Sequence, residues 1–333
     1  MKKSLIVSAM LVACASTAFA QSSVNLSGTV DVGVENSGSN RSSSGFSGGG
    51  LNAGPWPVYS DQRTGVVSSR NKQSQITFGG QEDLGGGLKA TFKISTQFNA
   101  DDGSSNSIGN NESYVGLEGS AGKLRLGRSY DPVYSHALTA NDRFGVSGYQ
   151  TLGTALNDNG IRVSNQISYI SPSFHGLTGT LSHGSAEGNQ GSGANNAQGF
   201  GLRYVRGPIE ATLASSRQAG MDTKFVHQVG AAYDFGPARV LFTAQEDRNT
   251  TWFGNTGKHA YALGVTAPVG PGVLWASYDV KDFANQDNGQ VAQVGYKYSL
   301  SKRTVVYGQV GAKNSAFTGN SSKGAGLGIT HSF

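Results

Sequence analysis

The chain has 333 residues, a formal charge of +5, 49 glycines and a single cysteine, and 37% of its residues are hydrophobic. One thiol excludes a disulfide framework and thiolate metal sites, and so mild a basic excess does not suit a nucleic-acid-binding protein. After Ala20 no apolar run reaches the roughly 18 residues of a transmembrane helix, so any membrane crossing falls to strands.

The first twenty residues, 1–20, read as an export signal. Lys2 and Lys3 form a basic start, Leu5 to Val12 an apolar stretch, and Ala18-Phe19-Ala20 a small-x-small cleavage site. Cleavage after Ala20 leaves residues 21–333 without cysteine and, with two lysines lost, takes the formal charge from +5 to +3. Leu11-Val12-Ala13-Cys14 also has the outline of a lipoprotein box. Cys14 comes early for one, and the better-formed site follows it directly.

From Val24 onward, short alternating segments recur. Val24, Leu26, Val30, Val32 and Val34 share one face of the first. Leu88, Ala90, Phe92, Ile94 and Phe98 oppose Lys89, Thr91, Lys93, Ser95 and Gln97 in another. Phe200, Leu202 and Tyr204, and later Ala292, Val294, Tyr296 and Tyr298, repeat the pattern. A period of two marks strands with one apolar and one polar face.

The connections alternate in length. Short ones are expected at 83–87, 119–122, 171–176, 207–208, 235–238, 267–272 and 300–303. Long Gly/Ser/Asn stretches are expected at 35–67, 99–110, 131–160, 184–198, 218–224, 248–257, 282–289 and 313–322. Short turns on one rim and long loops on the other describe an all-β transmembrane antiparallel barrel of about sixteen strands. Every proline falls in an expected connection, Pro268 in a short turn and Pro132 in a long loop among them, as a ladder that needs each N–H requires. The last strand carries Ala325, Leu327, Ile329 and His331 on one face and ends on Phe333, a terminal aromatic of the kind read by the outer-membrane assembly machinery.

No catalytic residue, cofactor or metal site is expected. Gly45-Phe46-Ser47-Gly48-Gly49 fits a nucleophile pattern but lies in a Ser/Gly-rich loop without the strand and helix that a nucleophile elbow needs. The six histidines have no metal-ligand spacing, and the acidic stretch from Asp101 to Glu112 lacks a calcium-loop register.

Five motifs in order resemble the general Gram-negative porins of the beta-proteobacterial type: Ser23–Val34, Gln81–Ala90, Tyr114–Gly119 with Leu126–Pro132, Arg162–Pro172, and Gly328–Phe333. The resemblance spans the whole mature chain. It implies a sixteen-stranded barrel in outer-membrane lipid, a homotrimer, passive passage of small hydrophilic solutes and ions, and a third loop, 131–160, folded into the lumen as a constriction. It also carries over Arg128. Two positions depart from the family: Gln75 and Asn111 stand where arginine is common, so the basic ladder is expected to be thinner or displaced, for example onto Arg70 or Lys72.

In such a barrel the polar strand faces line the pore. They carry Lys89, Lys93, Lys123, Arg125, Arg162, Arg203, Lys258 and Lys297 against fewer acids, Asp31, Glu35, Asp247 and Asp279. A basic excess in a confined lumen concentrates anions. The candidate constriction loop adds Asp131, Asp142, Arg143 and Asp158. The rival reading is a non-conducting outer-membrane barrel that acts as an adhesin or receptor through its long loops.

Overall fold

Alternation gives each segment one face for lipid and one for water, and pairing every edge into a ring leaves no open backbone against hydrocarbon. The computed structural model describes residues 22–39, 63–137, 162–186, 196–219, 224–246, 257–283, 286–315 and 320–333. The first half of the barrel consists of β1 (Ser23–Ser39), β2 (Arg63–Ser68), β3 (Gln75–Gly85), β4 (Leu88–Gln97), β5 (Glu112–Gly119), β6 (Gly122–Tyr130), β7 (Arg162–Ile170), β8 (Leu177–Gly184) and β9 (Ala197–Arg206). The second half consists of β10 (Ile209–Arg217), β11 (Val226–Asp234), β12 (Arg239–Glu246), β13 (Gly257–Val269), β14 (Gly272–Phe283), β15 (Gln286–Ser299), β16 (Thr304–Ser315) and β17 (Asn320–Ser332). Among the described residues there is one helix, α1 (Pro132–His136).

Successive staves are antiparallel neighbours, and β17 closes on β1 from Ser332 opposite Thr29 to Ser322 opposite Ser39. The seventeen strands make sixteen staves, because β2 and β3 pair in succession with β1 and are two pieces of one stave.

Burial is inverted relative to a water-soluble protein. Leu26, Phe78, Phe92, Leu126, Leu202 and Leu263 are exposed on the outer face, whereas Ser95, Gln166, Gln228, Thr243 and Thr330 are buried on the inner one. Exposed Tyr169, Phe174, Tyr233, Phe235 and Tyr298 lie beside short turns, at the level of an interfacial aromatic girdle.

Three expectations about boundaries need correction. Strands replace most of the long connections expected at 282–289 and 313–322, since β14 runs to Phe283, β15 starts at Gln286, β16 runs to Ser315 and β17 starts at Asn320. Asn, Gln and Ser are ordinary strand residues where one face is wet, so polarity there did not signal a loop. Pro268 is not in a turn but in β13, opposite Val273. It sits next to the strand end, where a missing N–H costs least. Loop 35–67 is likewise shortened at both ends by β1 and β2.

Candidate functional site: the inner wall

Because Cβ atoms alternate along a strand, one inward residue fixes the direction of its whole set. Lys89 and Lys93 on β4 therefore point inward with Ser95, away from Phe92 and Ile94. Lys93 Nζ is paired with Glu112, and Lys89 stands directly opposite Glu118 in the ladder. On β6, Lys123 pairs with Glu118 at 2.8 Å. Arg125 lies over the Tyr114 ring at 4.6 Å.

Arg128 differs from its neighbours. It stands opposite Ser113 on β5 and directly after Gly127, where the register of β6 against β7 shifts, so the alternation set by Leu124 and Leu126 does not carry over to it. Its Nε donates to Asn110 O at 3.1 Å and its Nη1 to Ser164 Oγ at 2.7 Å.

The two positions that depart from the family meet in space. Asn111 Nδ2 donates to Gln75 Oε1 at 2.9 Å and to Ser95 Oγ at 3.1 Å. Its Oδ1 accepts from Tyr130 Oη at 2.7 Å and from Arg162 Nε at 2.8 Å. The Arg162 guanidinium lies over Tyr130 at 5.2 Å. A buried amide thus holds an arginine that comes from 51 residues further along the chain.

On the far wall Glu210 ties two guanidinium groups. Arg203 Nε donates to it at 2.7 Å, and Arg239 Nη2 binds its second oxygen. Asp279 also faces inward, with Ser277 Oγ at 3.4 Å. Lys297 lies on the inner face of β15. Lys258 has only its backbone path described, and Asp247, Asp142, Arg143, Asp158 and the leader 1–20 lie outside the described residues.

Asp131 begins the third loop, and its surroundings place that beginning inside the barrel. As the N-cap of α1 it accepts from Val133 N at 2.8 Å, and Pro132 takes the first helical position, where an N–H is not needed. The helix packs on β8, β9, β10 and β11. Pro132 sits over Gly199 and His136 over Gly201, both inward glycines, so close that an added Cβ would lie 2.8 Å from the proline ring and 2.5 Å from the imidazole. Val133 is buried with Ala214 and Val226. Asp131 is 2% exposed, and burial pushes its carboxyl up to about 6 despite hydrogen bonds from Ser216 and Gln218.

Asp31 and Glu35, read as wetted wall acids, are instead covered. Residues 69–74 fold over the inner face of β1, and Asp31 accepts from Arg70 N at 2.8 Å, Lys72 N at 3.1 Å, Tyr307 Oη at 2.9 Å and Thr330 Oγ1. Glu35 Oε2 receives Arg70 Nε at 2.6 Å. Sequence reasoning missed Arg239 and the partner roles of Glu112, Glu118 and Glu210. Their inward parity was available, but their partners were not.

At the seam, Phe333 N donates to Gly28 O at 3.1 Å and Gly28 N to Phe333 O at 3.0 Å. The terminal residue is therefore part of the closing ladder.

A closed sixteen-stave barrel, apolar outside and lined by charged and amide side chains inside, defines an outer-membrane β-barrel with a polar lumen. Residues 7–316 match the family model described as "Gram-negative porin". The chain belongs to the Gram-negative porin family, and its location is the bacterial outer membrane. It is 34% identical over 334 residues to outer membrane porin protein 32 of Delftia acidovorans, covering 93% of this chain and 89% of that protein. It is 28% identical over 360 residues to the major outer membrane protein P.IB of Neisseria meningitidis serogroup B, covering all of both. The solved anion-selective porin from Comamonas acidovorans superposes with a TM-score of 0.78 at 28% identity, covering 94% of this chain and 100% of that one.

Proposed function

We propose that the chain is a passive diffusion channel for small hydrophilic solutes and ions, with a modest preference for anions, and that it performs no enzymatic reaction. The observation that carries the sign is the pairing of inner-wall charges. Lys93, Lys123, Arg203, Arg239 and Arg70 each have a carboxylate partner. Arg125 and Arg162 bind only aromatic or amide groups among the described residues. The wall therefore keeps a residual positive charge where little water screens it. The named selectivity of the Comamonas relative agrees with this reading.

The constriction is assigned to loop 131–160, supported by the position of its first residues on the inner wall. The leader 1–20 is removed on export, the assembly machinery reads Phe333, and the barrels stand in lipid as homotrimers, as the family resemblance implies. Reconstitution in planar bilayers tests the proposal. Conductance with a reversal potential of anionic sign in a salt gradient is expected. Cationic sign would refute the charge argument, and silence from folded protein would refute the channel.

A further inference from the structure

We infer that the second stave carries an inward knuckle, residues 69–74, whose exposed tip Lys72 sets ion selectivity from the wall opposite the third loop. The inference rests on the channel reading above and assigns part of its charge selection to one residue.

The knuckle follows from a register mismatch. β2 leaves β1 at Ser68 opposite Val32, and β3 rejoins it at Gln75 opposite Thr29. Six residues, 69–74, thus stand against two, 30 and 31, and the surplus is pushed out of the sheet. It goes inward because its anchor is on the inner face. The Asp31 carboxylate, 0% exposed, takes the backbone N–H groups of Arg70 and Lys72, and Asp31 N donates to Ser74 Oγ at 3.0 Å. Ser69 N donates to Asp31 O at 3.0 Å, and Asn71 Nδ2 to Thr330 Oγ1 at 2.7 Å. The segment is thereby clamped to β1 and β17, with Tyr307 of β16 behind it. Such a clamp is rigid, since each donor would otherwise be stranded away from water.

The geometry places this clamp across the lumen from α1. β1 and β10 are the first and ninth of sixteen staves, half a circuit apart. Asp31 is eight residues along β1 from Ser23, and Ser216, which holds Asp131, is seven along β10 from Ile209. At about 3.3 Å per residue the two anchors stand at a similar height above the short-turn rim. Arg70 is spent on Glu35. Lys72 is exposed and has no side-chain partner among the described residues. An ammonium held by a rigid mount on the inner wall attracts passing anions and repels cations.

Reversal potentials for Lys72→Glu, Lys72→Gln and the unaltered protein test the inference. The ratio of anion to cation permeability should fall about two- to fivefold for the charge reversal and less for the neutral variant, with channel conductance retained. As Cys14 is the sole cysteine, Lys72→Cys in the mature chain offers a single thiol. Adding an anionic or a cationic methanethiosulfonate reagent during recording should then move selectivity in opposite directions. Unchanged reversal potentials in both experiments overturn the assignment to Lys72 while leaving the channel intact. Absence of conductance from the unaltered protein overturns the channel itself.

Discussion

The Ser216 hydroxyl donates to the Asp131 carboxylate at 2.7 Å, joining residues 85 positions apart and fastening the start of the third loop to the inner wall. Gln218 Nε2 reaches the other oxygen at 3.3 Å. Ser216→Ala removes the shorter bond from a buried acid, which costs about 1–2 kcal/mol. The expected readout is a noisier open channel with larger conductance, because α1 is held less firmly. Single-channel traces indistinguishable from those of the unaltered protein would refute a tethering role.

The same acid makes the barrel pH-dependent. Burial raises its pKa to about 6 from an ordinary 3.8, so the folded state prefers the protonated form. Its contribution is complete below about pH 4 and is lost as the pH rises through about 6. Urea unfolding in detergent should therefore show stability falling between these values and levelling above them. Asp131→Asn, which cannot ionise, should flatten that slope.

Glu210 cancels charge that would otherwise face the lumen, since it holds both Arg203 and Arg239. Glu210→Gln should raise anion preference by a factor of about 1.5–2, with most of the effect lost in molar salt. A shift toward cations would contradict the proposed sign of the wall potential.

Closure depends on a close approach between Gly28 and the chain end. A Cβ on residue 28 would lie 2.5 Å from the Phe333 ring and 2.8 Å from Gln75 O. The carbonyl belongs to the ladder and cannot give way. Gly28→Val should destabilise the barrel by about 1–3 kcal/mol, seen as a lower yield of the heat-modifiable folded form on gels. Combining it with Phe333→Ala should recover only part of that yield, because the clash with Gln75 remains.

Much of the inner wall was legible from alternation alone. Lys89, Lys93, Lys123 and Arg125 occupy the parity that their apolar neighbours leave free. The same rule stops at Arg128, because the ladder register shifts between Gly127 and Ser129. Polar composition was the less faithful guide. It marked 282–289 and 313–322 as loops although their amide and hydroxyl side chains suit a wetted strand face.

By itself, then, the sequence determined the strands, their two faces and the ring they close, because side-chain direction in a strand depends only on position along it. Only tertiary structure decided which charges are spent. Asp31 looks like any wetted acid until Tyr307 and Thr330, 276 and 299 residues away, meet it across the closing seam and residues 69–74 fold over it. Whether a lumen charge faces water or a partner depends on neighbouring staves, and those distances are set by closure of the ring.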